Sequence, residues 1–295
     1  MVTRRAGGDA RGYCVWIVTP PGYIHSRCFE EVALGLHQAF ATLDYDAPVV
    51  TDPRAIRGAP IVLGCNLLPQ MGLTPPADAI LYNLEQTTEG SAWINSAYLD
   101  LLRRYRVWDY AQRNIEALAR VGVIAAHCAI GYMPALTRIP PADAQDVDVL
   151  FVGSVNERRQ KVLTDIQRAG KIVKVGHGLY GEARDAHIAA ARIVINLHFY
   201  ESQVLEIVRI SYLLANRICV VSETGFDPGL DAQLAGAVAF APYEGLMNTC
   251  LALLDDDGAR RAQAADGFAV FSRQSQTPLL KHALETTLGS AFARP

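Results

Sequence analysis

The sequence lacks the P-loop motif of nucleotide hydrolases, and neither of its halves opens with the glycine motif of the usual NAD-binding domains. Neither half of its 295 residues opens with a strand followed by G-x-G-x-x-G, and G-x-x-x-x-G-K-[ST] is absent. These absences disfavour the usual NAD-binding site and the P-loop of nucleotide hydrolases. No segment approaches 18 uninterrupted apolar residues, and no apolar run precedes Tyr13. We therefore expect a soluble, cytoplasmic protein without a transmembrane segment.

A large excess of charge of either sign is also missing, since the net charge is only −3 at pH 7. Proteins that bind nucleic acid usually carry a basic face, so we expect no nucleic-acid partner. The six cysteines form no C-x-x-C pair, and four lie in or beside apolar runs, which favours buried free thiols over disulfides or zinc ligands. We predict no metal site and no cofactor.

Short apolar runs alternate with amphipathic segments along most of the chain. Hydrophobic residues make up 51% of the sequence, and the length exceeds that of one doubly wound domain. We predict an α/β protein with Rossmann-like domains at 1–135 and 136–275, and a C-terminal helix within 276–295 that can pack back on the first domain. A proline-rich stretch at 131–148 is the predicted linker. In the first domain the predicted strands are 13–19, 48–51, 60–63, 79–84 and 123–126, and the predicted helices include 96–106 and 109–120.

The segment 192–224 carries the clearest fold signal. Its two dense apolar runs, 193–197 and 218–222, contain β-branched residues and are typical of buried strands. Between them, 203–215 is apolar at nine of its thirteen positions, and three of its polar residues recur every third position along one predicted helix side: Gln203, Glu206 and Arg209. The pattern predicts a strand, a helix and a second, parallel strand.

Polar side chains gather where predicted strands end, which is where doubly wound sheets bind ligands. In the first domain this group includes Asn83 and Glu85. In the second domain, one strand end and the helix after it carry Gly153, Ser154, Asn156, Arg158 and Arg159. A helix N-terminus with two arginines suits a diphosphate, although a solvated helix cap is an equally open interpretation.

A second group follows the strand at 193–197 and contains His198, Tyr200, Glu201 and Glu206. A histidine in such a place is often structural. A carboxylate on an otherwise apolar helix needs a partner, which is either a ligand or Arg209 in a structural ion pair.

Three segments in this order resemble the nucleotide-sugar-binding half of GT-B glycosyltransferases: VLFVGSVNERR, GLYGEARDAHIAAARIVINLHFYES and LEIVRISYLLANRICVVSE. They are closest in pattern to the CgeB-like, glycosyltransferase family 4-like bacterial group. The resemblance is strongest over residues 148–223 and implies two Rossmann-like domains facing each other across a cleft. It further implies that Glu206 binds the donor ribose, Glu201 faces the sugar and the diphosphate, and Arg158 or Arg159 contacts the diphosphate.

The remaining site residues come from the two faces of this expected cleft. We place Tyr180 and Tyr200 with the nucleotide-sugar site, and Tyr23, Asn83 and Glu85 on the acceptor side. His25 lies in the loop after the first strand, where such enzymes often carry a base or a sugar-contacting histidine, and imidazole suits deprotonation of a hydroxyl. With His198 and Glu201, it forms the predicted catalytic set.

We predict sugar transfer from a nucleotide-sugar donor to an unknown acceptor. A D-x-D match at 146–148 lies in the linker and not at a strand end, which agrees with a metal-independent reaction. Two alternatives stay open. One is a nucleotide-sugar 2-epimerase, for which Glu85 could act as an acid or base, and the other is a non-catalytic GT-B-like binding module. The oligomeric state is not predicted.

Overall fold

The computed structural model describes residues 12–87, 94–140, 142, 144–199, 205–225 and 228–289. The first domain contains the strands β1 Tyr13–Ile17, β2 Val49–Val50, β3 Ala59–Leu63, β4 Ile80–Asn83, β5 Arg106–Asp109 and β6 Ala125–His127. They form a parallel sheet in the order β2-β1-β3-β4-β5-β6. Its α-helices are α1 Glu30–Thr42, α2 Leu68–Met71, α3 Ser96–Leu102 and α4 Gln112–Arg120, and a 3-10 helix at Ile24–Phe29 leads into α1.

The second domain contains the strands β7 Val147–Val152, β8 Val173–Gly176, β9 Ala191–Asn196, β10 Val220–Glu223 and β11 Ala239–Ala241. They also run parallel, in the order β11-β10-β9-β7-β8. The helices are α5 Glu157–Arg168, α6 Gly181–Ala189, α7 Ile207–Ala215, α8 Pro228–Gln233, α9 Leu246–Asp255, α10 Asp257–Ser272 and α11 Gln276–Leu288. Two sheets of the doubly wound type confirm the predicted fold class.

The central strands of the first sheet are covered on both faces, as their apolar sequences require. All five residues of β1 and all five of β3 are buried. The apolar face of α1 packs into the first domain's core, where Val32, Leu36 and Phe40 are buried. The prediction of buried free thiols is also confirmed: all six cysteines are free, and all except the partly buried Cys28 are buried.

The predicted strand-helix-strand unit of the second domain is confirmed by β9, α7 and β10, in which Val220 pairs with Val194. The predicted helix was too long, however. α7 begins at Ile207, and Glu206 precedes it with a non-helical ψ of 63°. Glu206 therefore lies in the loop that enters the helix, and Gln203 lies outside the described residues.

The prediction of two successive helices at 96–106 and 109–120 was wrong in the middle. Residues Arg106–Asp109 form β5, which pairs on one side with β4 and on the other with β6. Val107 and Trp108 are fully buried at the centre of this strand. Two apolar residues between polar neighbours are too few to show the alternation of apolar and polar residues that marks a strand in a sequence. Pairing with the neighbouring strands of the sheet, rather than the local sequence, determines the strand conformation here.

The C-terminal helix α11 crosses from the second domain and packs against α1. The indole Nε1 of buried Trp108 donates to Thr287 Oγ1 at 2.6 Å, and the amide N–H of Gly131 donates to Gln276 Oε1 at 2.7 Å. A Cβ at Gly131 would lie 2.7 Å from the Gln274 carbonyl oxygen, so this crossing requires glycine. Among the helices that the structure describes, none is long and apolar enough to cross a membrane.

Candidate active site

A cavity of about 650 Å³ lies between the two domains. Its first-domain wall includes Leu84–Gln86 after β4. Its second-domain wall includes Val152, the last residue of β7, with Gly153 and Ser154 after it, and Phe199 after β9. The strand order reverses between β7 and β9, and ligands of doubly wound sheets bind at the carboxyl ends of strands beside such a reversal. The cavity therefore has the position and size of a small-molecule site.

Glu206 lies in the second-domain wall between two arginines. Its Oε1 lies 3.2 Å from Arg159 Nη2, and its Oε2 lies 3.5 Å from Arg209 Nη1. The sequence left open whether the partner of Glu206 is a ligand or Arg209. In the structure Glu206 pairs with Arg209 and also borders the cavity, so the two roles are compatible. A carboxylate held in this way still has lone pairs that can accept hydroxyl groups.

Arg159 is a buried cation that joins the two loops flanking the strand-order reversal. It donates to the Leu197 carbonyl from Nε and Nη2, at 3.0 and 2.6 Å, and to the Ser154 carbonyl from Nη1 at 2.8 Å. Burial lowers the pKa of its guanidinium to about 10. Arg159 also borders the cavity, where its hydrogen bonds hold the two loops of the wall together.

Arg209 is the site residue that the sequence identified only as a partner for Glu206. Its Nη1 donates to Asn196 Oδ1 at 3.0 Å, and its side chain is 30% exposed. Gly153 has a φ of +149°, and a Cβ there would lie 3.4 Å from Arg209 Nη2. The guanidinium thus lies against the loop after β7, at the cavity wall. The sequence could have identified Arg209 as a site residue from its position in the first turn of a helix that follows the end of a strand.

The structure corrects the placement of Arg158 and Asn156, since neither borders the cavity. Arg158 makes a bidentate ion pair with Glu223 and stacks on Tyr243, with 4.0 Å from its Cζ to the ring centroid. Asn156 caps α5 by accepting from the Arg159 amide at 3.0 Å, and it donates to the Phe199 carbonyl at 2.7 Å. Asn156 therefore fixes the loops rather than facing the cavity.

His198 is also placed away from the cavity. Its side chain is fully buried, and within the described part of the chain neither ring nitrogen has a hydrogen-bond partner. Its backbone is fixed instead, because its N–H donates to Glu223 Oε2 at 3.1 Å. Tyr200 and Glu201 lie outside the described residues, so their predicted roles stay predictions.

In the first domain, Glu85 borders the cavity and Asn83 lies behind it. Glu85 Oε1 accepts from Asn66 Nδ2 at 3.1 Å, and burial raises the pKa of its carboxyl to about 7. Asn83 is fully buried, and its Nδ2 donates to Asp109 Oδ2 at 2.6 Å. Burial also raises the pKa of Asp109 to about 7. Of these two residues predicted for the acceptor side, Glu85 therefore lies in the cavity wall, and Asn83 belongs to the structure that supports the wall.

His25 meets the second domain directly. Its Nδ1 lies 2.8 Å from the hydroxyl oxygen of Tyr180, and Tyr23 contacts its ring edge-on at 5.2 Å between centroids. Tyr180 borders the cavity, whereas neither His25 nor Tyr23 does. Burial raises the pKa of Tyr180 to about 12, so its hydroxyl stays protonated at neutral pH. The structure brings these three residues together beside the cavity, with Tyr180 as the one in its wall.

Among the described residues, no three His, Cys, Asp or Glu side chains come together as possible ligands of a metal ion.

No family model matches the chain. An uncharacterized protein of Acanthamoeba polyphaga mimivirus is 32% identical over 113 residues, 37% of this chain and 13% of that protein. Another from the same virus is 25% identical over 204 residues, 63% of this chain and 26% of that protein. The chain thus spans about an eighth and a quarter of these curated relatives.

Solved structures match almost the whole chain. HepE from Anabaena, in complex with UDP and glucose, has a TM-score of 0.62 at 11% identity, over 94% of this chain and 99% of that one. WaaG, a glycosyltransferase involved in lipopolysaccharide biosynthesis, has a TM-score of 0.55 at 11% identity, over 95% and 100%. TarM from S. aureus has a TM-score of 0.56 at 11% identity, over 78% and 55%. At these identities the likeness concerns the fold.

The fold and the cavity together define the class. The chain has two Rossmann-like domains in the GT-B arrangement, with the cavity between them. Of the solved structures reported above, WaaG is a glycosyltransferase, and HepE and TarM were solved in complex with UDP.

Proposed function

We propose that the chain transfers a sugar from a nucleoside diphosphate sugar to an acceptor that is still unidentified. The observation that carries this proposal is the cavity between the domains of a GT-B fold, where the side chains of Arg209 and Glu206 meet the Gly153–Ser154 loop. The matched HepE structures contain UDP with glucose, or UDP-glucose, which supports a donor of this class. Within the fold, the sequence pattern favours the CgeB-like, family 4-like group.

In the proposed donor complex, the diphosphate lies between Arg209 and the backbone at Gly153 and Ser154. Negative charge grows on the departing diphosphate, and a guanidinium already in place stabilises that charge without reorganisation. Glu206 accepts hydrogen bonds from the ribose hydroxyls, and Tyr180, at the N-terminus of α6, forms part of the wall of the donor site. Glu201 and Tyr200 keep the donor-side roles that the sequence suggests. The reaction proposed in this way needs no metal ion and no cofactor.

The acceptor enters from the first-domain wall, where Glu85 is placed. His25 and Tyr23 act on the cavity indirectly, through Tyr180. His25 fixes the hydroxyl of Tyr180, and Tyr23 packs on His25. We therefore propose His25 as a positioning residue for the cavity wall.

The proposal is tested by measuring binding of UDP, GDP and ADP by calorimetry and turnover of the matching glucose donors by NMR. We expect one diphosphate to bind and its donor to be hydrolysed slowly, since glycosyl transfer to water is the side reaction of such a site. Interconversion of the sugar without hydrolysis would indicate the epimerase instead. If no diphosphate binds, the donor-site assignment is wrong.

A further inference from the structure

Two polar residues lie opposite each other near the carboxyl ends of neighbouring strands in the second domain. Asn196 is the last residue of β9, and Ser222 of β10 is its partner in the register of the two strands. Both side chains are fully buried. A buried amide or hydroxyl destabilises a protein unless it is hydrogen-bonded, so the partners of these two groups show what they are for.

The two side chains form a short chain of hydrogen bonds that ends on Arg209. Asn196 Nδ2 donates to Ser222 Oγ at 3.0 Å, and Ser222 Oγ donates to the Glu223 carbonyl at 3.0 Å. Asn196 Oδ1 accepts from Arg209 Nη1 at 3.0 Å. Because a guanidinium only donates, this contact decides which end of the amide faces Arg209, and the Ser222 hydroxyl then accepts from the other end. Both polar atoms of the Asn196 side chain therefore have protein partners.

Asn196 reaches Arg209 from behind the cavity wall. Successive residues of a strand point to opposite faces of the sheet, so Asn196 shares a face with Val194, which borders the cavity. Asn196 itself does not border the cavity, whereas Arg209, in the first turn of α7, does. The amide therefore acts on a ligand in the cavity through the guanidinium and not by contact.

The hydrogen bond to Asn196 leaves one side of the Arg209 guanidinium for a ligand. Nη1 is the atom that donates to Asn196, and Glu206 Oε2 lies 3.5 Å from the same nitrogen. In the part of the chain that the structure describes, no acceptor is paired with Nε or Nη2 of Arg209. Nη2 lies beside Gly153, where a Cβ would be 3.4 Å from it. A guanidinium held through Nη1 thus presents Nη2 to the loop after β7, which is the proposed place of the diphosphate.

We propose that Asn196, supported by Ser222, is a positioning residue that orients Arg209 toward the diphosphate of the donor, an inference that rests on the proposed function. An arginine side chain loses rotamer freedom when it is ordered on a ligand. The hydrogen bond to Asn196 removes part of that freedom before the donor binds, so less of the binding free energy is lost in ordering the side chain. A neutral amide holds the guanidinium without neutralising the positive charge that the diphosphate needs, which a carboxylate at this position would do.

The test uses whichever of UDP, GDP and ADP the wild type binds, and it measures affinity by calorimetry in Asn196→Ala, in Arg209→Gln and in the double variant. Asn196→Ala should weaken binding by roughly tenfold, about the worth of one hydrogen bond, although this residue does not touch the ligand. In the double variant the Asn196 change should have no further effect on affinity, because the guanidinium through which it acts is gone. The loss of thermal stability caused by Asn196→Ala should appear in both backgrounds, which separates its structural effect from its effect on binding.

Two further variants complete the experiment. Ser222→Ala removes only the hydroxyl that holds the far end of the amide, and it should weaken binding by about two- to threefold. This smaller change keeps the test decisive even where Asn196→Ala does not fold. Gln263→Ala is the matched control, since its amide accepts from the Val220 N–H and donates to the Ala237 carbonyl outside the cavity wall. It should lower stability and change the affinity by less than about twofold.

Wild-type affinity in either folded variant, Asn196→Ala or Ser222→Ala, would overturn the assignment. So would additive losses of affinity in the double variant, because they would mean that Asn196 shapes the site without acting through Arg209. A wild type that binds none of the three diphosphates would instead contradict the donor site itself, and the two failures are thereby distinguished.

Discussion

Glu31 on α1 and Arg184 on α6 form a bidentate ion pair that joins the two domains. Arg184 Nη1 lies 3.0 Å from Oε2, and Nη2 lies 2.8 Å from Oε1. Arg138 of the linker also reaches Oε1, at 2.7 Å, and the same two arginines contact Asp185 and the ring of Tyr212. Because Glu31 is buried, this network places charge in the interface where water cannot replace a lost partner.

Replacing Glu31 by Gln should therefore destabilise the protein strongly. Removing one partner of a buried ion pair leaves uncompensated charge and typically costs about 3–5 kcal/mol. Glu30, the preceding residue, offers a matched control, since its pair with Arg27 is partly exposed and Glu30→Gln should cost about 0–1 kcal/mol. Urea unfolding measures both. Equal losses in the two variants would show that the interdomain pair contributes nothing special.

The contact between Trp108 and Thr287 predicts a second stability effect, at the crossing of α11. Thr287→Val keeps the shape of the side chain but leaves the buried indole N–H without its acceptor, which costs about 1–3 kcal/mol. The adjacent Thr286 is only partly buried, and Thr286→Val should change the free energy of unfolding by less than about 0.5 kcal/mol. Thermal unfolding of both variants provides the comparison, and a Thr287→Val protein as stable as the control would contradict it.

The raised pKa of Glu85 predicts how stability depends on pH. Between pH 4.5 and about 7 the folded protein keeps the Glu85 proton, whereas the unfolded chain has released it. The free energy of unfolding should therefore fall as the pH rises through this range. Asp109 contributes a fall of the same sign, so the Glu85 part is the difference between the wild type and Glu85→Gln. Denaturant unfolding across this range should give a shallower fall for the variant, and parallel curves would mean that the pKa is not raised.

The sequence was sufficient for the fold class because several strands are apolar runs in which half of the residues are β-branched, as in β7, β9 and β10. β5 was missed because its apolar part is only Val107 and Trp108, and the neighbouring strands β4 and β6 decide its conformation. The start of α7 was misplaced for a related reason. Apolar spacing continues upstream of Ile207, but Glu206 leaves helical geometry while it pairs with Arg159 and Arg209.

The candidate site could be located from the sequence but not oriented. Strand ends pointed to Glu85, Gly153, Ser154 and Glu206, all of which border the cavity. Arg158 and Arg159 are neighbours on α5, and successive helical residues point about 100° apart, so a strand-end position cannot say which of them faces a ligand. In the structure one binds Glu223 and the other binds loop carbonyls.

The assignment of the diphosphate to Arg209 predicts a specific difference between two arginines. Losing one charge-assisted contact costs about 1.5–3 kcal/mol, so Arg209→Gln should weaken UDP binding by roughly 10- to 150-fold. Arg158→Gln is the matched control, because its guanidinium lies on Glu223 outside the cavity wall, and it should change UDP affinity by less than about threefold. Calorimetry measures both. A larger loss of UDP affinity in Arg158→Gln than in Arg209→Gln would contradict this assignment and indicate that the diphosphate binds at the N-terminus of α5.

The hydrogen bond between His25 and Tyr180 predicts coupled effects on turnover. If His25 serves to position the Tyr180 hydroxyl, His25→Ala and Tyr180→Phe should each lower hydrolysis of the donor by roughly tenfold or more, about 1.4 kcal/mol, with a smaller effect on UDP affinity. The double variant should be no slower than the worse single variant, because either change already removes the same interaction. His177, whose ring centroid lies 6.0 Å from that of His25, provides the control variant His177→Ala. Independent, additive losses would mean that His25 acts on the substrate itself, and an unimpaired His25→Ala protein would remove it from the site.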